Sequence, residues 1–261
     1  MKLTFYGVRG STPVAGQEFS RVGGHTSCIA IAADNSSLPT LILDAGTGLQ
    51  SLARVFDGQP FDGAILLTHL HWDHVQGLPF FPPADRDDAR TTLAQPAQGE
   101  PIEVLARAMS PPHFPIRPDE LGGAWTHVAL EAGGHQFGSF DVDVRDVVHK
   151  GGRTFGYRVT SDRGVLVYVP DALDDNDAAI CELAADADVF VRGTPFVTAE
   201  AVRAAEYGHG TAEHAAEIAR RANVRRLVLT HHGPTRVDDA VDKIAASVGA
   251  TAAYEGMTLD V

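Results

Sequence analysis

The stretch THLHWDH, residues 68–74, sets His69, His71, Asp73 and His74 in one short segment directly after the apolar run GAILL. A continuous apolar run of that kind reads as a buried strand, so the polar cluster stands at a strand's C-terminal end. Packing alone does not account for it. Neutral imidazoles and a carboxylate are ligands for zinc, manganese or iron. An irregular turn after a strand can aim His69 and His71 at one cation and Asp73 and His74 at a neighbouring one.

A single cluster cannot complete two coordination spheres, so further ligands have to come from other strand ends. The sequence supplies them. His149 ends VDVRDVVH, Asp171 ends VLVYVPD and His231 ends RRLVLTH, each a polar residue where an apolar run stops. His232 also follows the last of these runs. Alternation along a strand points the two in opposite directions, so one of them is the ligand and the other at most a supporting neighbour.

Around these residues the composition is that of a folded globular protein. The chain has 261 residues, 44% hydrophobic and 21% charged, enough for a sizeable core and unlike a disordered or collagen-like chain. Its 21 Lys and Arg against 34 Asp and Glu give a formal charge of -13, which repels long nucleic acid. A small anionic substrate remains compatible, because bound cations reverse the field inside a metal pocket. Cys28 and Cys181 sit in apolar runs and read as buried small hydrophobes, with no disulfide framework. The opening MKLTFYGVRG lacks the apolar stretch of a signal peptide and no later run approaches a membrane span, so the expected address is cytoplasmic. The expected partner is a small molecule, with no membrane and no long nucleic acid; a homodimer is compatible with this composition.

Strands are expected at LTFYG, SCIAIAAD and LPTLILDAG, the last two separated by an Asn-Ser-Ser turn, together forming a β-meander. TGLQSLARVF reads as a helix. In the second half FDVDVRDVVH, TFGYRVTS, GVLVYVPD, ADVFVRG and RRLVLTHH read as strands, and NDAAICELAAD, TAEHAAEIARRA and DDAVDKIAASV as helices. Two halves of similar order imply a four-layer αββα sandwich built as one domain over residues 1–261. Residues 80–138 are the least regular part, rich in Pro, Gly, Asp and Ala, with IEVLA as a short strand. Residues 113–125 read either as a cover over the site or as a surface excursion that only packs.

HLHWDH matches the HxHxDH signature of the metallo-β-lactamase superfamily. Along most of the chain GVRGSTP, GGHTSC, LILDAGTG, HKGGRTFGYRV, VYVPDA, GHGTAEHAAEIA and LVLTHHGPTR resemble, in order, the branch containing ribonuclease Z and the cyclic phosphodiesterases. The resemblance implies an αββα sandwich with a dinuclear site at one edge. It implies His69, His71 and His149 on the first metal, Asp73, His74 and His231 on the second, and Asp171 bridging them. Two divalent ions follow, with zinc ahead of manganese or iron. It also places His209, just before a helix, as a proton donor or phosphate contact, against the plainer role of capping that helix.

The expected activity is hydrolysis of a small cyclic or nucleotide-derived phosphodiester by a metal-bridging hydroxide, with Asp73 orienting it and His209 protonating the leaving group. A carboxylic ester, lactone or thioester hydrolase is the alternative on the same site, and a non-catalytic metal-dependent ligand-binding protein a third. Ribonuclease Z proper resembles the chain less, because its long Gly/Pro-rich arm has no room between Asp171 and His209. Asp44 reads as ordering a ligand histidine or capping a helix, and His25 as a polar neighbour of the site. Arg192 is expected to be solvated at a strand end, His214 structural, and His127 and His135 surface or packing residues. Ser11, Ser27 and Ser110 have no arrangement specifying a nucleophile.

Overall fold

Apolar runs of five to eight residues become strands throughout the computed structural model, which describes residues 1–34, 36–174 and 177–261. Asn35 of the Asn-Ser-Ser turn and Asn176 of the segment NDAAICELAAD lie outside the described residues. Among the described residues, β1 (Lys2–Gly7), β2 (Cys28–Ala32) and β3 (Leu41–Leu43) form the antiparallel meander. β4 (Asp62–Leu66), β5 (Arg90–Pro96) and β6 (Ala124–Leu130) then add in parallel beside β3. β7 (Gly133–Phe137), β8 (Phe140–Val147), β9 (Thr154–Thr160) and β10 (Val165–Val169) are antiparallel neighbours in a second sheet. β11 (Val189–Gly193), β12 (Arg226–Thr230) and β13 (Thr251–Ala252) extend that sheet in parallel, and β14 (Thr258–Asp260) returns to pair with β1.

The two sheets face each other. Phe5, Ile29, Leu43 and Leu66 of the first share one buried cluster with Val142, Phe155, Tyr157 and Val191 of the second. Burying each such side chain contributes roughly 1.5–3 kcal/mol, so this layer, far more than any surface ion pair, sets the sheets together. On the outer face of the first sheet, Leu49 and Leu52 of α1 (Gly48–Leu52) pack on Cys28, Ile42 and Ile65. On the outer face of the second, α4 (Asp177–Ala184) and α6 (Ala212–Arg221) lay Ile180, Leu183 and Ile218 on Val167, Val169 and Phe190. α7 (Asp238–Ser247) covers the β12 end with Ala245. The result is the expected αββα order.

Several expectations change. IEVLA is not a strand but most of α3 (Pro101–Ala106), because Glu100 caps it by accepting from Glu103 N at 2.8 Å and Pro101 presets its first turn. Residues 80–138 are more regular than their composition suggests, since they carry β5, α3, β6 and β7. α5 (Ala201–Tyr207) has no counterpart in the sequence reading; only Ala204 of it is buried, too little for a periodic signal. Cys28 is buried, but Cys181 on α4 is partly exposed, and both are free thiols.

Arg192 is not solvated: it is 1% exposed, because β11 is a central strand covered on both faces. Its guanidinium donates to Ala172 O at 2.7 Å and Gly193 O at 3.1 Å. Arg9 is equally buried and ties three loops together, donating to Gly23 O and Arg236 O at 2.6 Å each and to Asp238 at 3.3 Å. Among the described residues no helix is long and apolar enough to cross a membrane.

Candidate metal centre

Strand direction brings the donors to one rim. β8 is antiparallel to β9, β9 is antiparallel to β10, and β11 and β12 run parallel to β10. The C-terminal ends of β8, β10 and β12 therefore share an edge, and His149, Asp171 and His231 lie just past those ends. Across from them the chain leaves β4 and turns through His69 into α2 (Trp72–Val75). Asp73 and His74 face inward on α2, while Trp72 is 57% exposed.

The ligand atoms of His69, His71 and His149 lie within 4.8 Å of one another, and so do those of Asp73, His74 and His231. Asp171 Oδ2 stands between the groups, 3.5 Å from His69 Nε2, 2.9 Å from His74 Nε2 and 3.3 Å from His231 Nε2. All seven residues expected as ligands thus converge, and His209 joins them in a further group with Asp171 and His231. His231 adopts a left-handed backbone at φ 55, which turns its ring out of the β12 direction into the site. Gly10 makes room for that ring, since a Cβ there would stand 2.3 Å from His231 Nδ1.

Neighbouring groups orient the imidazoles. A carbonyl accepts only from a protonated nitrogen, so the 2.6 Å contact of His149 Nδ1 with Gly208 O leaves Nε2 as the free lone pair facing the cluster. His74 Nδ1 likewise donates to Asp44 Oδ2 at 2.8 Å, so Asp44 orients the His74 ring with Nε2 toward the cluster. Asp44 also accepts from Thr68 N at 2.8 Å, from Thr68 Oγ1 at 2.9 Å and from Tyr168 OH at 2.8 Å. Sequence reasoning missed Thr68 and Tyr168; the only signal was a phenol inside the otherwise aliphatic run VLVYV.

The electrostatics suit cations. Asp44, Asp73 and Asp171 are all buried, and among the described residues none of them pairs with a lysine or arginine. Burial lowers His69 and His71 below the usual imidazole range and pushes His149 down to about 4. Burial alone would also lower His74, but Asp73, Asp44 and Asp171 outweigh it and raise His74 well above the ordinary value. Burial would raise Asp171, yet His231, His209 and His74 hold it well below the carboxylate range. His69 Nε2 and Asp171 Oδ1 are buried without a hydrogen-bond partner, a costly arrangement unless another group binds there. Unpaired donors, excess negative charge and an N/O ligand set fit divalent cations.

His209 Nδ1 lies 3.0 Å from Asp171 Oδ1 but without hydrogen-bond alignment, so the contact is electrostatic. It does not cap α6; Thr211 does, accepting from His214 N. His232 points away from the donors and contacts Ala253 O at 3.0 Å through Nε2, and His25 lies 3.2 Å from Thr47 Oγ1 outside the donor groups. His214 pairs with Asp174 and Asp177, His127 stacks on Trp125, and His135 meets Glu131 O. Ser11, Ser27 and Ser110 make no hydrogen bond to an imidazole, although Ser11 N donates to Asp73 Oδ2 at 2.7 Å. Phe114 meets Phe80 edge-on and with Trp72, Val75 and Met109 lines an apolar cavity of about 380 Å³ that none of the seven donors borders. Of residues 113–125, Phe114 thus lines a cavity beside the donor groups.

A family model described as a beta-lactamase superfamily domain matches residues 40–232, which holds every one of these donors. The chain belongs to that superfamily. Within it the chain stands with the ribonuclease Z-like branch that its motifs resemble. A ribonuclease Z of Bradyrhizobium diazoefficiens is 27% identical over 94% of this chain and 94% of its own length. Among solved structures, the metallo-beta-lactamase fold protein YhfI from Bacillus subtilis superposes with a TM-score of 0.76 at 20% identity, covering 99% of each chain. A diphosphatase from the PhnP family gives 0.76 at 18% identity, over 100% of this chain and 97% of that one. At those identities the structural likeness is one of fold. Superfamily and donor set together make this protein a metal-binding hydrolase.

Proposed function

We propose that the protein hydrolyses small phosphodiesters at a centre of two divalent cations. The observation that carries this reading is the convergence of seven metal-type donors beside His209, next to a cleft that bears arginines. His69, His71 and His149 would hold one cation, Asp73, His74 and His231 the other, with Asp171 between. Zinc suits these ligands best, with manganese or iron as substitutes. When bound, the pair supplies Lewis acidity, acidifying a water and neutralising charge on a phosphoryl oxygen.

The chain's own groups do the rest. Asp73 is fixed through Oδ2 by Ser11 N and lies 3.1 Å from His231 Nε2 through the same oxygen, so its other oxygen orients the attacking water. His209, 3.0 Å from Asp171 Oδ1 and lining the cleft, is the group placed to protonate the departing alkoxide. Next to His209 a cleft of about 220 Å³ is lined by Ser11, Phe196, Arg203, Tyr207 and Arg236. Arg236 is paired with Glu200, whereas Arg203 lies over the Tyr207 ring, 5.7 Å from its centroid, with its charge available to an anion. A cleft of that size accommodates one ring system. Among the described residues, the chain between Asp171 and His209 folds back as α4, β11 and α5, a course that agrees with the acidic net charge in disfavouring long RNA.

Side-by-side turnover of bis(4-nitrophenyl) phosphate and 4-nitrophenyl acetate by zinc- or manganese-loaded protein tests this. Diester hydrolysis is expected to dominate; ester turnover alone would give the site to acyl substrates. Arg203→Ala is expected to raise KM for the diester about tenfold with little change in kcat, as loss of one exposed charge-assisted contact does. An unchanged KM would remove Arg203 from substrate binding.

A further inference from the structure

The loop of residues 208–211, between α5 and α6, is pinned at every residue. Gly208 O accepts from His149 Nδ1, and His209 N donates to Ala204 O at 2.9 Å. Gly210 faces Asp174 and Arg192 so closely that a Cβ would stand 2.1 Å from Asp174 Oδ1 and 2.7 Å from Arg192 Nη2. Thr211 donates to the Asp174 carboxylate through N at 3.1 Å and through Oγ1 at 3.1 Å. His214 Nδ1 reaches Asp174 Oδ1 at 2.7 Å, and its Nε2 reaches Asp177 Oδ1 at 2.7 Å.

Asp174 belongs to none of the donor groups, yet it fixes the two residues that follow His209 and sits three positions after Asp171 in the same strand-end loop. Helix stability alone does not call for it, because Thr211 already caps α6. We propose that Asp174, held in turn by His214 and backed by the buried Arg192, is a positioning residue that keeps the His209 imidazole against Asp171. The inference rests on His209 being the proton donor to the leaving group. It extends the working site beyond the metal donors to a carboxylate clasp that joins the Asp171 loop to the start of α6.

Two readouts test it on the full chain. With metal-loaded protein, His209→Ala is expected to slow a nucleoside 2′,3′-cyclic phosphate, whose leaving group is an alkoxide, about tenfold more than bis(4-nitrophenyl) phosphate, whose leaving group needs no proton. Asp174→Asn is expected to reproduce that selectivity with KM changed less than about twofold, and to add nothing to it in the His209→Ala background. Equal slowing of both substrates, or full additivity in the double variant, would mean that Asp174 only stabilises the fold. The second readout needs no substrate: the amides of His209 and Thr211 are expected to be protected from hydrogen exchange in the wild type and to exchange at least about tenfold faster in Asp174→Asn. Unchanged protection overturns the proposal whether or not turnover is seen. Absence of turnover by the wild type on both substrates counts against the hydrolytic reading, and amide exchange then decides the clasp by itself. If Asp174→Asn does not fold, His214→Gln releases one arm of the clasp and is expected to show the same pattern at about threefold amplitude.

Discussion

Replacing Asp171 by alanine is expected to lower phosphodiester turnover by on the order of 10³-fold or more, beyond the 10–100-fold usual for a partner outside the ligand sphere. The reason is geometric. One oxygen of Asp171 lies within reach of His69, His74 and His231, and the other lies 3.0 Å from His209. The Asp171 carboxylate reaches both halves of the donor set, so its loss is expected to separate the two proposed cation sites and to remove the anion beside the proposed proton donor. Measured as kcat/KM with metal content determined on the same samples, the variant should lose activity and bound metal together. Retention of more than about a tenth of wild-type activity would show that Asp171 does not join the halves.

A second large effect is expected from a residue that touches no substrate. Asp44 is fully buried, adopts a left-handed backbone at φ 60, and collects donors from Thr68, Tyr168 and His74. Asp44→Ala strands those donors in the interior, and breaking a buried charged network of this kind costs about 3–5 kcal/mol. Urea unfolding of the metal-free protein should show that loss as a lower midpoint at unchanged slope. A loss under about 1 kcal/mol would mean that water or a neighbouring acceptor replaces the carboxylate. The Asp44 network also holds His74 in the tautomer that directs Nε2 inward, so metal affinity should fall in the same variant.

Much of this site was legible because it obeys a local rule. The HLHWDH cluster follows one apolar run and His149, Asp171 and His231 each end another, so placement alone marks these residues, with His232 beside them, as candidates before any coordinates are known. The αββα order was legible for a similar reason, since strand and helix periods differ sharply in segments such as RRLVLTHH and TAEHAAEIARRA. Groups that act through tertiary contact were not. Arg192 looks like a strand-end cation until β10 and β12 are seen to flank it, and Arg9 looks like a turn residue until three loops are seen to share its guanidinium. Asp174 has no motif around it; only the position of Thr211, 37 residues later, gives it meaning. IEVLA shows the opposite failure, a β-branched apolar run whose state was decided by the Glu100 cap and Pro101.

The account depends on paired cation binding, and metal stoichiometry measures that directly. Protein stripped with chelator, reloaded with zinc and dialysed should retain two equivalents per chain, with anomalous scattering placing one among His69, His71 and His149 and the other among Asp73, His74 and His231. His231→Ala should keep only the first. Retention of no zinc, or of zinc at positions away from Asp171, would contradict the account.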